Sequence, residues 1–179
     1  MIRKTVVPCA RLLTPFIVVG LLMSGVPSFA LAQENVPSGR EIAEKAKSAK
    51  LRPDRVIHGQ KNGKNVTFTA ADLRNLKSPK ELESGQVIGV LETETEGDES
   101  GLPPGKYNLY LKKMGNEWKV YAESGGTVVG QAARVEVKTH GKPASEVVPG
   151  FKPEGWCLIS ICLIDCWFFC CLEVGFICF

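Results

Sequence analysis

Lys106-Tyr-Asn-Leu-Tyr-Leu-Lys-Lys-Met-Gly-Asn-Glu-Trp-Lys-Val-Tyr-Ala-Glu123 decides the fold class. In its first half Tyr107, Leu109 and Leu111 alternate with Lys106, Asn108 and Lys112. In its second half Trp118, Val120 and Ala122 alternate with polar neighbours. A period of two puts each set on one face of a strand, and Met114-Gly-Asn-Glu117 between them supplies a turn. The pair therefore reads as an antiparallel hairpin with one buried face. Tyr107 and Trp118 are expected in the core, while Tyr110 and Tyr121 share the opposite face and are the candidates for ligand contact.

The same pattern continues on both sides of this hairpin. Val56-Ile-His-Gly-Gln60 and Asn65-Val-Thr-Phe-Thr69 flank Lys61-Asn62-Gly63-Lys64, where Asn-Gly supplies the positive φ angles of a tight hairpin. Thr69-Ala-Ala-Asp72 resembles a capping box and predicts a short helix carrying Leu73 and Leu76, stopped at Ser78-Pro79, with a further turn over Lys80-Glu-Leu-Glu83. Gln86 to Thr95 predicts a strand whose far end, with Glu92, Glu94 and Glu96 on one face, leaves the core. Ser124-Gly-Gly126 breaks the chain before Thr127-Val-Val129. Ala133, Val135 and Val137 then alternate with Arg134, Glu136 and Lys138. The fold class is mainly β, a small antiparallel meander or β-sandwich with one short helix.

Gly101-Leu-Pro-Pro-Gly-Lys-Tyr-Asn-Leu109 resembles the turn and strand of secreted prealbumin-like and carboxypeptidase-regulatory-like β-sandwiches. The resemblance covers about ten residues. It implies a structural or binding module more than an enzyme, and it carries over no functional residue.

Both ends depart from this pattern. Arg3, Lys4 and Arg11 precede the apolar run Phe16 to Met23, and Ala30-Leu31-Ala32 offers small residues for a signal peptidase, so residues 1–32 read as a secretory signal and Gln33 as the mature start. The whole chain of 179 residues carries 22 basic and 19 acidic residues. Taking Arg3, Lys4 and Arg11 from the 22 leaves as many basic residues as the 19 acidic ones. The basic balance belongs to the precursor, and no nucleic-acid partner is expected. Residues 33–55 read as a polar tether or frayed helix, because only Ile42 and a few alanines offer apolar surface. Residues 56–138 form the β-rich domain, and 139–155, rich in Pro and Gly, a linker.

The C-terminal stretch 156–179 holds six of the seven cysteines, Cys157, Cys162, Cys166, Cys170, Cys171 and Cys178, and no Lys or Arg. Three readings compete for it. As a helix of 24 residues it would span about 36 Å, enough for a membrane anchor, but Asp165 and Glu173 bring insertion close to balance. As a set of exported cysteines it would form disulfides within the tail or between chains. As a thiolate cluster, with Cys162, Cys166 and Cys170 spaced by four, it would bind zinc, copper or an iron–sulfur cluster, with the metal left open. Ile, Val, Trp and Phe enrichment suits strands at least as well as a helix.

Nothing marks an enzyme. There is no Gly-rich phosphate loop, His-Glu-x-x-His or Gly-x-Ser-x-Gly, only His58 and His140 are available as imidazoles, and no cofactor is expected. The acidic run Glu92 to Glu99 lacks the spacing of a calcium loop and reads as a solvated strand end. Asn65-Val66-Thr67 matches a glycosylation sequon. The expected protein is thus exported, periplasmic or secreted, non-enzymatic, and docked to a partner or membrane through 156–179. The alternative is a redox-active or metal-handling protein using the tail thiolates. Against that alternative, Asp165 and Glu173 would raise thiol pKa values and no Lys, Arg or His lies in 156–179 to lower them.

Overall fold

Six consecutive strands form an antiparallel meander: β1 (Leu51–Lys61), β2 (Lys64–Ala71), β3 (Gln86–Thr93), β4 (Gly105–Met114), β5 (Glu117–Ser124) and β6 (Thr127–Gln131). The computed structural model describes residues 36–76, 79–96, 101–138, 142–143, 149–152, 157–166 and 169–179. They belong to the unit Glu34–Phe179. The expected leader 1–32 lies outside the described residues.

The turns form where the residue types demand them. Asn62 (φ 53°) and Gly63 (φ 75°) close β1 onto β2, and Gly125 (φ 59°) and Gly126 (φ 81°) close β5 onto β6. Both pairs have the two positive φ angles of the type I′ hairpin turn, which matches strand twist. Between β4 and β5 the register Tyr110↔Tyr121 and Leu111↔Val120 is the one that alternation requires. Before β4, Leu102 is buried and the Tyr107 hydroxyl donates to the Pro103 carbonyl, which ties the Pro-Pro-Gly turn to its strand.

A second sheet takes the order β7 (Arg134–Lys138), β11 (Phe169–Cys178), β10 (Cys157–Cys166), β9 (Gly150–Lys152), with β8 (Lys142–Pro143) also pairing β11. The chain crosses between sheets at two consecutive alanines. The Ala132 amide donates to the Val120 carbonyl on the first sheet at 2.9 Å, and the Ala133 amide to the Cys178 carbonyl on the second at 2.8 Å. Between the sheets lies one core, in which Ile57, Phe68, Leu91, Leu109, Leu111 and Val120 meet Leu158, Ile161, Leu163, Val174 and Ile177. The architecture is a two-sheet antiparallel β-sandwich. Tyr107 lies in this core and Trp118 packs against it, as alternation predicts.

The stretch 156–179, expected as an appended tail, thus supplies the two central strands of the second sheet. Each fully buried aliphatic side chain there contributes about 1.5–3 kcal/mol of transfer free energy, and a detached tail would forgo it. Among the described residues no helix is long and apolar enough to cross a membrane. The expected linker 139–155 contributes β8 and β9.

Further expectations differ. Helix α1 (Gly39–Ser48) is packed rather than a tether, and Leu51 to Arg55 already belongs to β1. Ser38 caps α1 by accepting from the Glu41 amide at 3.1 Å. Ile42, fully buried, fits against Val87, Tyr110 and Tyr121 on the outer face of the first sheet. The helix expected after Thr69 does not form, because β2 runs on to Ala71, paired with Leu51, and the Asp72 amide donates to the Lys50 carbonyl at 2.6 Å. Asp72 instead holds Arg74. Pro79, expected as a stop, is the first residue of α2 (Pro79–Glu83), where its missing N–H costs nothing.

Candidate functional site

The outer face of the first sheet, partly roofed by α1, carries the arrangement with the most chemistry. Tyr110 is fully buried beneath the helix. Its hydroxyl donates to Glu41 Oε1 at 3.2 Å and accepts from Lys45 Nζ at 2.9 Å, and the same ammonium donates to the Gly85 carbonyl at 2.9 Å. Burial and the neighbouring Glu41 carboxylate push the Tyr110 phenol well above its ordinary pKa. Tyr121 lies beside it and is 3% exposed. The two tyrosines do share the outward face, but Ile42, Ala46 and Ala49 cover that face. They anchor α1 and are not open to a ligand, which corrects their expected role in ligand contact.

Beside this anchor a groove of about 730 Å³ opens between α1 and the β5–β6 turn, lined by Arg40, Ala43, Glu44 and Lys47 on the helix, with Asn108 and Glu123 below. Positions 40, 43, 44 and 47 form one helical stripe, adjacent to the Glu41 and Lys45 stripe that grips Tyr110. Asn108 and Glu123 are directly opposed in the β4–β5 register. Glu123 is 1% exposed; its Oε2 accepts from Asn108 Nδ2 and its Oε1 from the Gly126 amide, both at 2.6 Å. Gly39 permits the approach, since a Cβ there would strike the Gly126 carbonyl and the Thr127 Cα. Sequence reasoning passed over Arg40, Asn108 and Glu123. The signals were the helical stripe and the polar residues on the non-core face of β4 and β5.

In the second sheet, Cys157 and Cys178 face each other in the β10–β11 register and are joined by a disulfide. Cys162 is also disulfide-bonded. The side chains of Cys166, Cys170 and Cys171 lie outside the described residues; their backbone belongs to β10 and β11. Because both segments are strands, a spacing of four places residues about 13 Å apart along the chain, at ~3.3 Å each, instead of about one helical turn apart. Among the described residues no group of three metal-ligating side chains converges.

The remaining candidates are surface features. His58, exposed on β1, has Nδ1 3.4 Å from Thr67 Oγ1, while His140 lies outside the described residues. Glu92 pairs with Lys106 at 2.6 Å, and Glu94 accepts from the Asn65 amide at 2.8 Å, so both carboxylates are engaged at the strand end. Asn65 is exposed, and its Oδ1 accepts from Gln60 at 3.1 Å. Comparison with protein-family models, curated proteins and solved structures finds no match to this chain.

Proposed function

We propose that this chain is an exported, non-enzymatic binding or structural protein of the cell envelope, a β-sandwich module closed by disulfides at its C-terminal hairpin. The observation that carries the reading is the Cys157–Cys178 disulfide, set directly across β10 and β11. Such bonds form and persist in oxidising compartments, which is where the basic and apolar leader would send the chain. Use of the hairpin as half of the core favours its role in closing the module over docking to a membrane. The thiolate metal reading has fewer donors available, because Cys157, Cys162 and Cys178 are bonded.

The test is expression with the leader in a bacterium, followed by analysis of separated fractions. The reading expects a soluble envelope species beginning at Gln33 whose cysteines resist alkylation until reduced. A cytoplasmic chain that retains its leader and alkylates without reduction would sink it.

A further inference from the structure

Cys162 is disulfide-bonded, and its partner is neither Cys157 nor Cys178, which are bonded to each other. With Cys9 in the leader, the mature chain offers Cys166, Cys170 and Cys171. Backbone register separates the three. Cys162 stands opposite Glu173, Ile164 opposite Leu172 and Asp165 opposite Cys170. From Cys162 to Ile164 the pairing takes two residues of β10 against one of β11, so Leu163 is an extra residue. From Ile164 to Asp165 it takes one against two, so Cys171 is an extra residue on β11. Counting ~3.3 Å per residue and ~4.8 Å between strands, the α-carbon of Cys171 lies about 8 Å from that of Cys162, Cys170 about 11 Å and Cys166 about 13 Å. A disulfide needs α-carbons within about 7 Å of each other. Extra residues bend and shorten their strands, and Cys171 alone needs so small a correction.

We propose that Cys162 pairs with Cys171, and that this bond locks the β10–β11 register across its two bulges while Cys157–Cys178 closes the open end of the hairpin. Register matters here because Leu163, the extra residue of β10, is buried in the core between the sheets. A one-residue slip that absorbed the bulge would turn it to the other face. Forming the bond converts two S–H groups into one S–S bond. The two protons and two electrons pass to a disulfide oxidant of the exporting compartment, which becomes a dithiol. The proposal rests on the exported, disulfide-closed reading above and extends it.

The experiment alkylates the oxidised mature protein and its Cys162→Ser variant without reduction, and locates the alkylated cysteines by fragment-ion mass spectrometry. The cysteine newly alkylated in the variant should be Cys171; new alkylation at Cys170 or Cys166 instead overturns the pairing. Should the variant misfold or reshuffle its bonds, fragmentation of the unreduced wild-type peptides decides, since it must show Cys162 joined to Cys171. In the Cys162→Ser/Cys171→Ser double variant, protected amides from Ile164 to Leu172 should exchange at least ~10-fold faster, while Leu158 and Ile177 beside the remaining disulfide keep their protection. Unchanged exchange there overturns the register lock. A different partner for Cys162 in an exported protein removes this inference alone; a cytoplasmic chain with free thiols removes the reading beneath it.

Discussion

Replacing Ile177 by Ala tests whether the two sheets are one cooperative unit. Ile177 is fully buried on β11, in the core that also holds Phe68, Leu109, Leu111 and Val120 of the first sheet. The substitution deletes three carbons, about 2.4 kcal/mol of transfer free energy at ~0.8 each. The cavity left behind brings the total to about 3–4 kcal/mol, within the spread for such changes. With a urea slope of about 2 kcal/mol per molar, the unfolding midpoint should fall by roughly 1.5–2 M. The assay follows amide signals of Leu109, Leu111 and Val120 through a urea titration of the oxidised protein. These first-sheet probes should shift together with those of Val174 and Ile177. An unchanged midpoint at Leu109 and Val120, with loss of structure confined to the second sheet, would refute the shared core.

Other predictions follow from the anchor, the groove and the acidic groups. The Tyr110 phenol is pushed up, so it stays protonated in the folded chain while an unfolded tyrosine ionises near its ordinary value of 10.0. Stability should therefore be intact below about pH 10 and fall above it. Tyr110→Phe should flatten that alkaline decline in denaturant melts and cost about 1–2 kcal/mol at neutral pH by removing the hydroxyl's hydrogen bonds with Lys45 and Glu41. Gly39→Val should lift α1 from the β5–β6 turn, read as loss of hydrogen-exchange protection at Ile42 with the Leu109 amide still protected. Asp72 is held far below the ordinary carboxylate range, first by its hydrogen bond from the Arg74 side chain and then by the Arg74 backbone amide. Its contribution is present at neutral pH and lost on strong acidification as pH falls through the folded value, so any stability gap between wild type and Asp72→Asn should close at low pH.

Much of the first sheet was legible because its cues are local. Asn62-Gly63 and Gly125-Gly126 specify hairpin turns by chemistry, and Tyr107, Leu109 and Leu111 specify a face by parity. The role of 156–179 was not legible, since a long apolar run without clean alternation satisfies a membrane helix and a pair of buried strands alike. What decides it is long-range pairing, Glu173 with Lys138 and Val174 with Val137, which no local pattern encodes. Similarly, α1 offers one large apolar residue, Ile42, and reads as a tether until Tyr110 and Tyr121 are known to meet it. The failed helix after Thr69 shows a strand partner, Leu51 for Ala71, overriding a capping pattern. Arg40 and Glu123 are separated by a large part of the chain, and only the Gly39 and Gly126 approach brings their elements together.

The most direct test is a disulfide map of the oxidised protein, alkylated without reduction and cleaved after Glu154, Asp165 and Glu173. The account predicts that the fragment 155–165, carrying Cys157, remains linked to 174–179, carrying Cys178, and separates from it on reduction. Free alkylated Cys178 in the unreduced protein would contradict it.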